Sequence, residues 1–416
     1  MKIRYNVQTA LQRFHIETLR KKQIEPINSI LDVNDTFIVA PTSSGKSLDY
    51  QLPAVMHEDY LTVVIEPTMA LMHDQVWKLK SLGIAAEYVD STLCSTEKDM
   101  IWNDVHNHRV SILCISPERL SSPDFFDAID GLDIYMVVVD ECHCVLEWGI
   151  SFRPDYLEIG EFFKSLKHRP IMAALTATVN PKDRKKIQRL LGMKKAEEFI
   201  YSIDRPNLIL LKEEIPSYND VEKIFQKKLA RLKYNMKKYH CTGSMIIYCS
   251  TGKHVDAVYN HLKSKFPGEV VRCHSKMKPN TRAKHEREFL DNEKTIMVAT
   301  SAFGMGIDKG DIDLIIHFDM PISIGDYYQQ AGRAGRDGGD AHCMILYNEV
   351  DVKKWEALIK SEKNSSTQKY MRKQLKQMRK FVESEECMMQ NLLFYFGETK
   401  EKTCKHCTCC QRNRRK

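Results

Sequence analysis

Short, continuous runs of apolar and β-branched residues recur along the chain and alternate with segments of amphipathic helical pattern. In the first half of the chain, these runs lie at 36–39, 61–65, 110–115, 134–139 and 171–175. Strands that are apolar at every position are typical of parallel sheets, because helices cover both faces of such sheets. The pattern therefore predicts an α/β layer fold for this part of the chain.

A second set of apolar runs follows at 245–249, 270–273, 295–299, 314–318 and 343–347. A polar passage with two prolines, from about Asp204 to Gly243, separates the two sets. Since 416 residues are too many for one hydrophobic core, we expect two α/β domains joined at that passage. After Asp351 the runs stop, and a basic helical stretch leads to a cysteine cluster. The predicted domains are residues 1–205, residues 206–350 and a small helical module at 351–416.

The stretch from Thr36 to Ser47 combines a short apolar strand, a proline, a loop of small residues and the start of a helix. This arrangement directs several backbone N–H groups at one point, where a phosphate is stabilised by the helix dipole. Lys46 would reach the β- and γ-phosphates, and the Ser47 hydroxyl would help to hold Mg²⁺. Ala40 stands where the phosphate-loop pattern has its first glycine, so a simple turn before a surface helix is the alternative. The other loop residues expected to bind the nucleotide are Thr42, Ser43, Ser44 and Gly45.

Two carboxylates, Asp140 and Glu141, directly follow the apolar run at 134–139. In an open parallel sheet, ligands bind just beyond the carboxyl ends of the strands. We expect Asp140 to bind the Mg²⁺ of a nucleotide, directly or through water. Glu141 is expected to orient and deprotonate the water that attacks the γ-phosphate. Acidic residues that cap a strand and face solvent are the alternative.

Phosphoryl transfer also requires positive charge near the γ-phosphate, and the second half of the chain offers Arg333 and Arg336 between glycines. Two arginines at this spacing fit one face of a helix that approaches a phosphate closely. Because they fall in a different predicted domain from Lys46, hydrolysis would require a cleft to close, which would turn ATP turnover into domain motion. A polar, glycine-rich turn is the alternative.

The C-terminal cysteines have metal-ligand spacing: Cys387 is followed after sixteen residues by Cys404, Cys407 and Cys410. Four thiolates can close a tetrahedral Zn²⁺ site, which would stabilise a module too small to fold by hydrophobic burial alone. His406 and Cys409 are alternative ligands, and a cluster without metal is the remaining interpretation. We expect a structural role, because no open coordination position is implied.

Composition excludes some classes of protein. No run of about 18 apolar residues occurs, so no transmembrane helix is predicted. The N-terminus lacks the apolar core of a signal peptide, so an intracellular protein is expected, in the nucleus if the organism has one. The formal net charge of +7 is compatible with a polyanionic partner. Basic residues concentrate at 227–238, 369–380 and 412–416, although such runs are more often solvated faces than binding sites.

In order and spacing, these motifs resemble the RecQ family of ATP-dependent DNA helicases over nearly the whole chain. The resemblance implies two RecA-like parallel-sheet domains in tandem, a zinc-binding module, and the cofactors ATP, Mg²⁺ and Zn²⁺. It also makes Arg333 and Arg336 the finger and sensor arginines. The stretches that carry it are 19–23, 41–47, 66–75, 116–120, 140–143, 174–178, 204–207, 300–308 and 329–336. The further nucleotide-binding residues that it implies are Arg20, Gln23, Asp308 and Gln329.

The stretch 147–156 is similar to the aromatic-rich loop of RecQ proteins. Trp148 and Phe152 offer faces for base stacking, and Arg153 can bind a phosphate or stack on a base. By the same resemblance His143, in the acidic box, is assigned to the nucleic-acid site. An aromatic mini-core under the loop is the alternative. The chain departs from the family at 149–151, where Gly-Ile-Ser replaces Gly-His-Asp, at Cys142, which replaces alanine, and at Ile16, which replaces an aromatic residue.

The function implied by the resemblance is 3′→5′ translocation on single-stranded DNA and unwinding of partly duplex DNA, in repair, recombination or replication. The chain ends six residues after Cys410, without the winged-helix domain of many RecQ proteins. A DNA-stimulated ATPase or strand-annealing protein that unwinds weakly is therefore an alternative. An RNA helicase of the DEAD/DEAH type and a non-enzymatic binding protein are two others. Protein partners stay open.

Overall fold

The computed structural model describes residues 2–41, 44–147, 155–239, 242–301, 303–304 and 309–414. The chain divides into two compact units, Met1–Ile203 and Asp204–Lys416. Each unit is built on one sheet, and every described strand pair in both sheets is parallel. The predicted α/β class with two parallel sheets in tandem is therefore confirmed. Among these residues, no helix is both long and apolar enough to cross a membrane.

The first unit carries a seven-stranded sheet with the strand order β3-β4-β2-β5-β6-β1-β7. Its strands are β1 (Thr36–Val39), β2 (Leu61–Ile65), β3 (Ala86–Val89), β4 (Ile112–Ile115), β5 (Ile134–Val139), β6 (Ile171–Thr176) and β7 (Glu197–Ile200). Its helices are α1 (Gln8–Arg13), α2 (Lys21–Leu31), α3 (Ser47–Met56), α4 (Met69–Ser81), α5 (Ser95–His106), α6 (Pro123–Ile129), α7 (Cys144–Glu147), α8 (Asp155–Ser165) and α9 (Pro181–Leu190), with a 3₁₀ turn at Pro117–Ser121.

The interior strands of this sheet are those that the apolar runs predict. Strands β1, β2, β4 and β6 are buried at every position, as expected for a parallel sheet covered on both faces. The two edge strands, β3 and β7, were not predicted. Both are partly exposed, so neither forms a continuous apolar run. The criterion that finds interior strands therefore misses strands at the edges.

The second unit carries a six-stranded sheet with the strand order β10-β11-β9-β12-β13-β8. Its strands are β8 (Leu208–Glu214), β9 (Ser244–Tyr248), β10 (Val270–Cys273), β11 (Ile296–Ala299), β12 (Ile312–His317) and β13 (Ala341–Tyr347). Its helices are α10 (Val221–Lys238), α11 (Gly252–Lys263), α12 (Pro279–Asp291), α13 (Ile324–Ala331), α14 (Glu349–Ser361), α15 (Ser365–Glu383), α16 (Met388–Tyr395) and α17 (Thr408–Asn413).

The passage from Asp204 to Gly243, interpreted above as a polar joint between two domains, belongs to the second unit. It contains β8, which pairs with β13, and the 18-residue helix α10. Leu229 and Leu232 of α10 lie in the hydrophobic core of the unit. The passage looks like a linker in the sequence because an edge strand and an amphipathic helix both expose polar residues.

After β13, the described residues form helices and no strand. These helices cover the open edge of β8. The backbone N–H of Lys212 donates to Thr408 Oγ1 at 2.9 Å. Its ammonium group donates to the carbonyl oxygens of Val382, at 2.8 Å, and Ser384. Edge strands with unpaired backbone groups invite association, and proteins often cover them with other elements. The C-terminal module therefore protects the edge of the second sheet.

A buried cluster of charges joins α10, β12 and α14. The ammonium nitrogen of Lys228 lies 2.8 Å from both carboxylate oxygens of Asp351 and 3.5 Å from Asp319 Oδ1. The Lys228 side chain is only 4% exposed. Burial opposes its charge, but the attraction of Asp351 and Asp319 outweighs burial and raises the pKa of Lys228. The basic run at 227–238 is therefore partly an internal feature rather than a surface for a polyanion.

We expect Lys228→Met to destabilise the second unit by about 3–5 kcal/mol, because it leaves the buried carboxylate of Asp351 without its ion-pair partner at 2.8 Å. The control is Lys227→Met, which changes the same residue type at the exposed neighbouring position. Urea unfolding followed by circular dichroism measures both variants. Equal stability of the two variants would contradict a stabilising role for the cluster.

Candidate functional site

The predicted phosphate loop lies between β1 and α3 at the carboxyl edge of the first sheet. Gly45 has a φ of +84°, a conformation that favours glycine, and it lies close to the amide of Gln23. The ammonium nitrogen of Lys46 donates to the carbonyl of Ala40 at 3.1 Å. Lys46 therefore lies against its own loop, in position to exchange this carbonyl for a phosphate oxygen. Thr42 and Ser43 lie outside the described residues.

The residues predicted to recognise adenine contact this loop. Arg20 caps the N-terminus of α2, and its guanidinium donates to Ser44 O at 3.0 Å. Gln23 accepts from the N–H of Arg20 at 2.9 Å and donates to Gly45 O at 3.1 Å. The fold thus brings Arg20, Gln23, Ser44, Gly45 and Lys46 together. Ile16, which stands where the family has an aromatic residue, is partly buried against the core of the first unit.

Ser47, the predicted metal ligand, is held by a relay of two amide side chains that the sequence did not indicate. Gln75 Nε2 donates to Ser47 Oγ at 2.9 Å, and Gln51 Nε2 donates to Gln75 Oε1 at 2.9 Å. Gln75 lies on α4, within the stretch 66–75 that carries part of the family resemblance. Its amide orients the hydroxyl and leaves an oxygen lone pair for a cation. Because 28 residues separate Gln75 from Ser47, only the folded structure reveals the pair.

Asp140 and Glu141 follow the end of β5 at the same edge of the sheet. Asp140 is 6% exposed, and its Oδ1 accepts from the N–H of Glu141 at 2.8 Å. Burial and the charge of Glu141 raise the pKa of Asp140 to about 6, although Lys46 opposes the shift. Glu141 has a φ of +45°, which is unusual for a residue with a side chain. Such backbone strain is concentrated at functional sites.

His143 links this acidic pair to the end of β6. Its Nδ1 lies 3.3 Å from Glu141 Oε2 and 2.9 Å from Thr176 Oγ1, which also accepts from the N–H of Thr178 at 3.1 Å. The side chain of His143 is 5% exposed. The fold therefore gives His143 a place beside Glu141, in the interior of the unit. Its assignment to nucleic-acid binding stays a prediction.

Arg333 and Arg336 lie in the turn between α13 and β13. Since α13 ends at Ala331, the expectation that they share one face of a helix is wrong. Gly335, between them, has a φ of +57°, which no regular helix adopts. The alternative of a polar, glycine-rich turn describes this segment, and both arginines are part of that turn.

The stretch 204–207, for which the sequence suggested no role, clamps this arginine turn. Arg205 donates to Ala334 O at 2.8 Å and to Gly335 O at 2.6 Å. Asn207 Nδ2 donates to Gly335 O at 2.9 Å and to Gly339 O at 2.8 Å. These bonds satisfy carbonyls that a tight turn leaves unpaired. Arg205 and Asn207 are therefore positioning residues for the turn.

Within the second unit, Arg333 is 4% exposed and donates to the carbonyl of Gly304. Gly304 has a φ of +122°, a conformation that favours glycine, and its backbone lies directly against the guanidinium of Arg333. Gln329 is half-buried on α13. Asp308 lies outside the described residues, and so do the predicted DNA contacts Trp148, Phe152 and Arg153.

The four predicted cysteine ligands lie close together. Cys387 precedes α16, Cys404 and Cys407 precede α17, and Cys410 lies within α17. The sulfur atoms of Cys387, Cys404, Cys407 and Cys410 all lie within 4.8 Å of one another. Cys404 Sγ and Cys410 Sγ are 3.9 Å apart, close to the roughly 3.8 Å that tetrahedral zinc–sulfur bonds of about 2.3 Å impose. The residues therefore fit a tetrahedral metal. Neither His406 nor Cys409 belongs to the group, and Cys409 instead donates to Ser384 O at 3.5 Å.

Backbone N–H groups donate to three of the four sulfur atoms, and such hydrogen bonds favour thiolate ligands. Met388 N–H donates to Cys407 Sγ at 3.4 Å, and Cys404 N–H donates to Cys387 Sγ at 3.3 Å. Cys407 N–H donates to Cys404 Sγ at 3.4 Å. Hydrogen bonds to ligand atoms orient them and tune the bound metal. These hydrogen bonds to the sulfur atoms support a specific metal site rather than a chance cluster of thiols.

Three family models match the chain in sequence order. A DEAD/DEAH box helicase model matches residues 20–187, and a helicase conserved C-terminal domain model matches residues 227–338. A RecQ zinc-binding model matches residues 349–411, which contain all four cysteines. The three models thus cover six of the seven strands of the first sheet, four of the six strands of the second and most of the C-terminal helical region.

Individual proteins match over most of the chain. The ATP-dependent DNA helicase RecQ of Bacillus subtilis is 35% identical over 95% of this chain and 65% of that protein. The probable ATP-dependent DNA helicase RecS of the same organism is 34% identical over 94% of this chain and 76% of its own length. The chain spans 62% to 65% of the length of three bacterial RecQ proteins.

Among solved structures, the Mycobacterium smegmatis helicase Lhr bound to ssDNA and AMP-PNP has a TM-score of 0.65 with this chain. The two are 19% identical, and the match covers 86% of this chain and 49% of the other. At that identity, the likeness concerns the fold alone. It agrees with the predicted tandem of RecA-like sheets.

Proposed function

Because this chain belongs to the RecQ family of helicases, we propose that it is an ATP-dependent DNA helicase that couples hydrolysis of Mg-ATP to movement along single-stranded DNA. The observation that carries the proposal lies within the first unit. The loop of Lys46 and Ser47 follows β1, and the pair Asp140 and Glu141 follows β5, with only β6 between these strands. Both therefore flank one crevice at the carboxyl edge of a parallel sheet, where nucleotides bind.

Each residue of that crevice has a distinct task. The loop N–H groups and Lys46 bind the phosphates, while Ser47 and Asp140 hold Mg²⁺. Glu141 orients the attacking water and accepts its proton. Bound Mg-ATP supplies the γ-phosphoryl group and the charge that the metal neutralises. Arg20 and Gln23 bind the adenine.

The arginine turn of the second unit completes the proposed chemistry. Arg333 and Arg336 stabilise the negative charge that develops on the γ-phosphoryl group, and Arg205 and Asn207 hold the turn that presents them. Gln329 and Asp308 contribute to the same nucleotide site. In this proposal, Arg333 must leave the carbonyl of Gly304 to reach a phosphate.

The proposed metal of the C-terminal module is Zn²⁺, bound by the thiolates of Cys387, Cys404, Cys407 and Cys410. Four sulfur ligands at tetrahedral spacing favour zinc over magnesium or calcium, which prefer oxygen. The ion would cross-link the two short helices α16 and α17. Its role is structural because the four thiolates fill the coordination shell.

The proposed substrate is DNA, with Trp148, Phe152 and Arg153 as contacts and 3′→5′ as the direction of movement. We expect single-stranded DNA to stimulate ATP hydrolysis at least about tenfold, whereas single-stranded RNA of the same sequence should not. A duplex with a 3′ tail should be unwound faster than one with a 5′ tail. ATPase and strand-displacement assays on the full chain measure both.

Each alternative function has its own outcome in these assays. Equal or stronger stimulation by RNA would favour an RNA helicase. DNA-stimulated hydrolysis with strand annealing but without unwinding would favour the weaker alternative of an ATPase and annealing protein. Hydrolysis that no nucleic acid stimulates would contradict the proposed helicase.

A further inference from the structure

Helices α14 and α15, which follow β13, form a groove to which the proposed function assigns no task. Its volume is about 540 Å³. The side chains that line it include Val352, Glu356 and Lys360 of α14 and Arg372, Leu375 and Lys376 of α15. Clefts that bind ligands usually enclose about 300–1,000 Å³, so this α14–α15 groove is large enough to receive side chains of a partner.

The spacing of the lining residues makes the groove follow both helices. Those of α14 lie four positions apart, and those of α15 lie at most three or four apart, so each set occupies one helix face. Residues 362–364 alone connect the two helices, which therefore form a helical hairpin. A groove between two such faces is a shape into which a third, amphipathic helix can pack.

The floor of the groove is apolar. Val352 is 5% exposed and Leu375 is 4% exposed, so both lie beneath the charged side chains around them. Covering apolar surface stabilises a complex by roughly 25 cal/mol per Å² before the costs of association. The floor therefore favours a partner that presents apolar side chains. The phosphates of a nucleic acid carry no apolar group that could cover it.

The rim of the groove is basic. Lys360, Arg372 and Lys376 are exposed, and none of them forms an ion pair within the part of the chain that the structure describes. Arg379, which also lines the groove, differs because it pairs with Glu349 at 3.0 Å and with Glu383 at 2.7 Å. The unpaired cations therefore exceed the negative charge that Glu356 supplies.

The sequence of α15 adds to this positive charge. No acidic residue occurs from Ser365 to Val382, and the basic run at 369–380 lies within the helix. A surface of one sign attracts partners of the opposite sign and disfavours others. The groove is therefore complementary to a partner that combines negative charge with an apolar face.

We propose that the α14–α15 groove binds an acidic amphipathic helix of a protein partner. Apolar side chains on one face of that helix cover Val352 and Leu375, and carboxylates beside them pair with the cations of the rim. The groove lies entirely within the second unit and contains no residue of the proposed nucleotide or DNA sites. The inference therefore goes beyond the proposed function and does not depend on it.

The test measures binding of a synthetic, fluorescein-labelled peptide to the full chain by fluorescence anisotropy. The peptide has about 15 residues, near the length at which an isolated helix becomes stable in water. It consists of glutamate and alanine, with leucine at every third or fourth position to form one apolar face. We expect one bound peptide per chain and weaker binding as salt increases. Peptides with alanine for leucine, or with lysine for glutamate, should bind at least about tenfold more weakly.

Two charge reversals and a matched control locate the peptide on the protein. Lys376→Glu and Arg372→Glu should each weaken binding at least about tenfold, because like charges then face each other across the groove. Lys373→Glu is the control, since Lys373 is an exposed lysine of the same helix but does not line the groove. We expect this variant to bind the peptide as the unmodified protein does. If Lys376→Glu fails to fold, as judged by circular dichroism, Arg372→Glu decides.

The outcomes separate this inference from the proposed function. If the peptide does not bind, or if both groove variants bind it as tightly as the unmodified protein, the inference fails while DNA-stimulated hydrolysis can still stand. An equal loss in Lys373→Glu would also overturn it, because the effect would then reflect overall charge. If single-stranded DNA displaces the peptide and Lys376→Glu weakens the binding of both, the groove is a nucleic-acid surface and the inference is wrong. Groove-dependent peptide binding without DNA-stimulated hydrolysis would support the inference and refute the helicase.

Discussion

Glu141→Gln should lower DNA-stimulated ATP hydrolysis by about 100- to 10,000-fold, the range that a general base contributes. Glutamine preserves the size of the side chain but cannot accept the proton of the attacking water. The carboxylate lies beside His143, with Glu141 Oε2 3.3 Å from His143 Nδ1, and an amide of the same size fits the same place. The expected result is a protein that binds ATP and DNA but turns over very slowly.

Comparison with Lys46→Ala distinguishes catalysis from binding. Lys46 contacts the phosphates in the proposed site, so its removal should weaken nucleotide binding as well as hydrolysis. Glu141→Gln should affect hydrolysis alone, as measured by binding of a fluorescent ATP analogue beside steady-state turnover. Glu158→Gln, on the exposed surface of α8, is the control for removal of one charge in the same unit. Turnover of Glu141→Gln close to that of this control would refute the assigned role.

The parts of this site that could be predicted from sequence are those that depend on neighbours in the chain. A continuous apolar run locates a buried parallel strand, and the residues after the run must lie at the carboxyl edge of the sheet. For this reason the positions of Lys46 and Asp140 follow from β1 and β5.

Other parts could not be predicted because they depend on contacts between distant segments. The bond from Gln75 to Ser47 and the clamp of Arg205 on the arginine turn connect residues 28 and 129 positions apart. Neither residue type has a preferred partner that a pattern could indicate. The turn itself was misassigned because two arginines three positions apart fit one face of a helix, whereas α13 ends at Ala331 and Gly335, between the arginines, has a φ of +57°.

Edge strands mark a second limit of prediction. The partial exposure of β3 and the almost complete exposure of β7 hide these strands among loops, and β8 was hidden in a passage that looks like a linker. The structure explains why β8 is more apolar than the other two, since the C-terminal module covers its free edge. The edge of the second sheet and the cysteine site are therefore parts of one packing arrangement.

Removal of the metal should therefore unfold the C-terminal module. Helices α16 and α17 have eight and six residues, which is too short for stability in water without tertiary support. Structural zinc contributes about 10–16 kcal/mol in small zinc-binding peptides, far more than these helices can replace. Cys407 is 0% exposed, so Cys407→Ser should abolish zinc binding and make the segment after β13 sensitive to protease. Zinc content by atomic absorption and limited proteolysis measure both effects.

Cys409→Ser provides the matched comparison, because it removes a buried thiol from the same module without removing a ligand. Cys409 is 1% exposed and donates to Ser384 O, outside the group of four sulfurs. This variant should keep one zinc ion per chain and the protease resistance of the unmodified protein. Retention of zinc by Cys407→Ser, or its loss from Cys409→Ser, would contradict the assigned ligands. Because Thr408 and Ser384 bond to Lys212 of β8, loss of zinc should also expose the edge of the second sheet and promote aggregation.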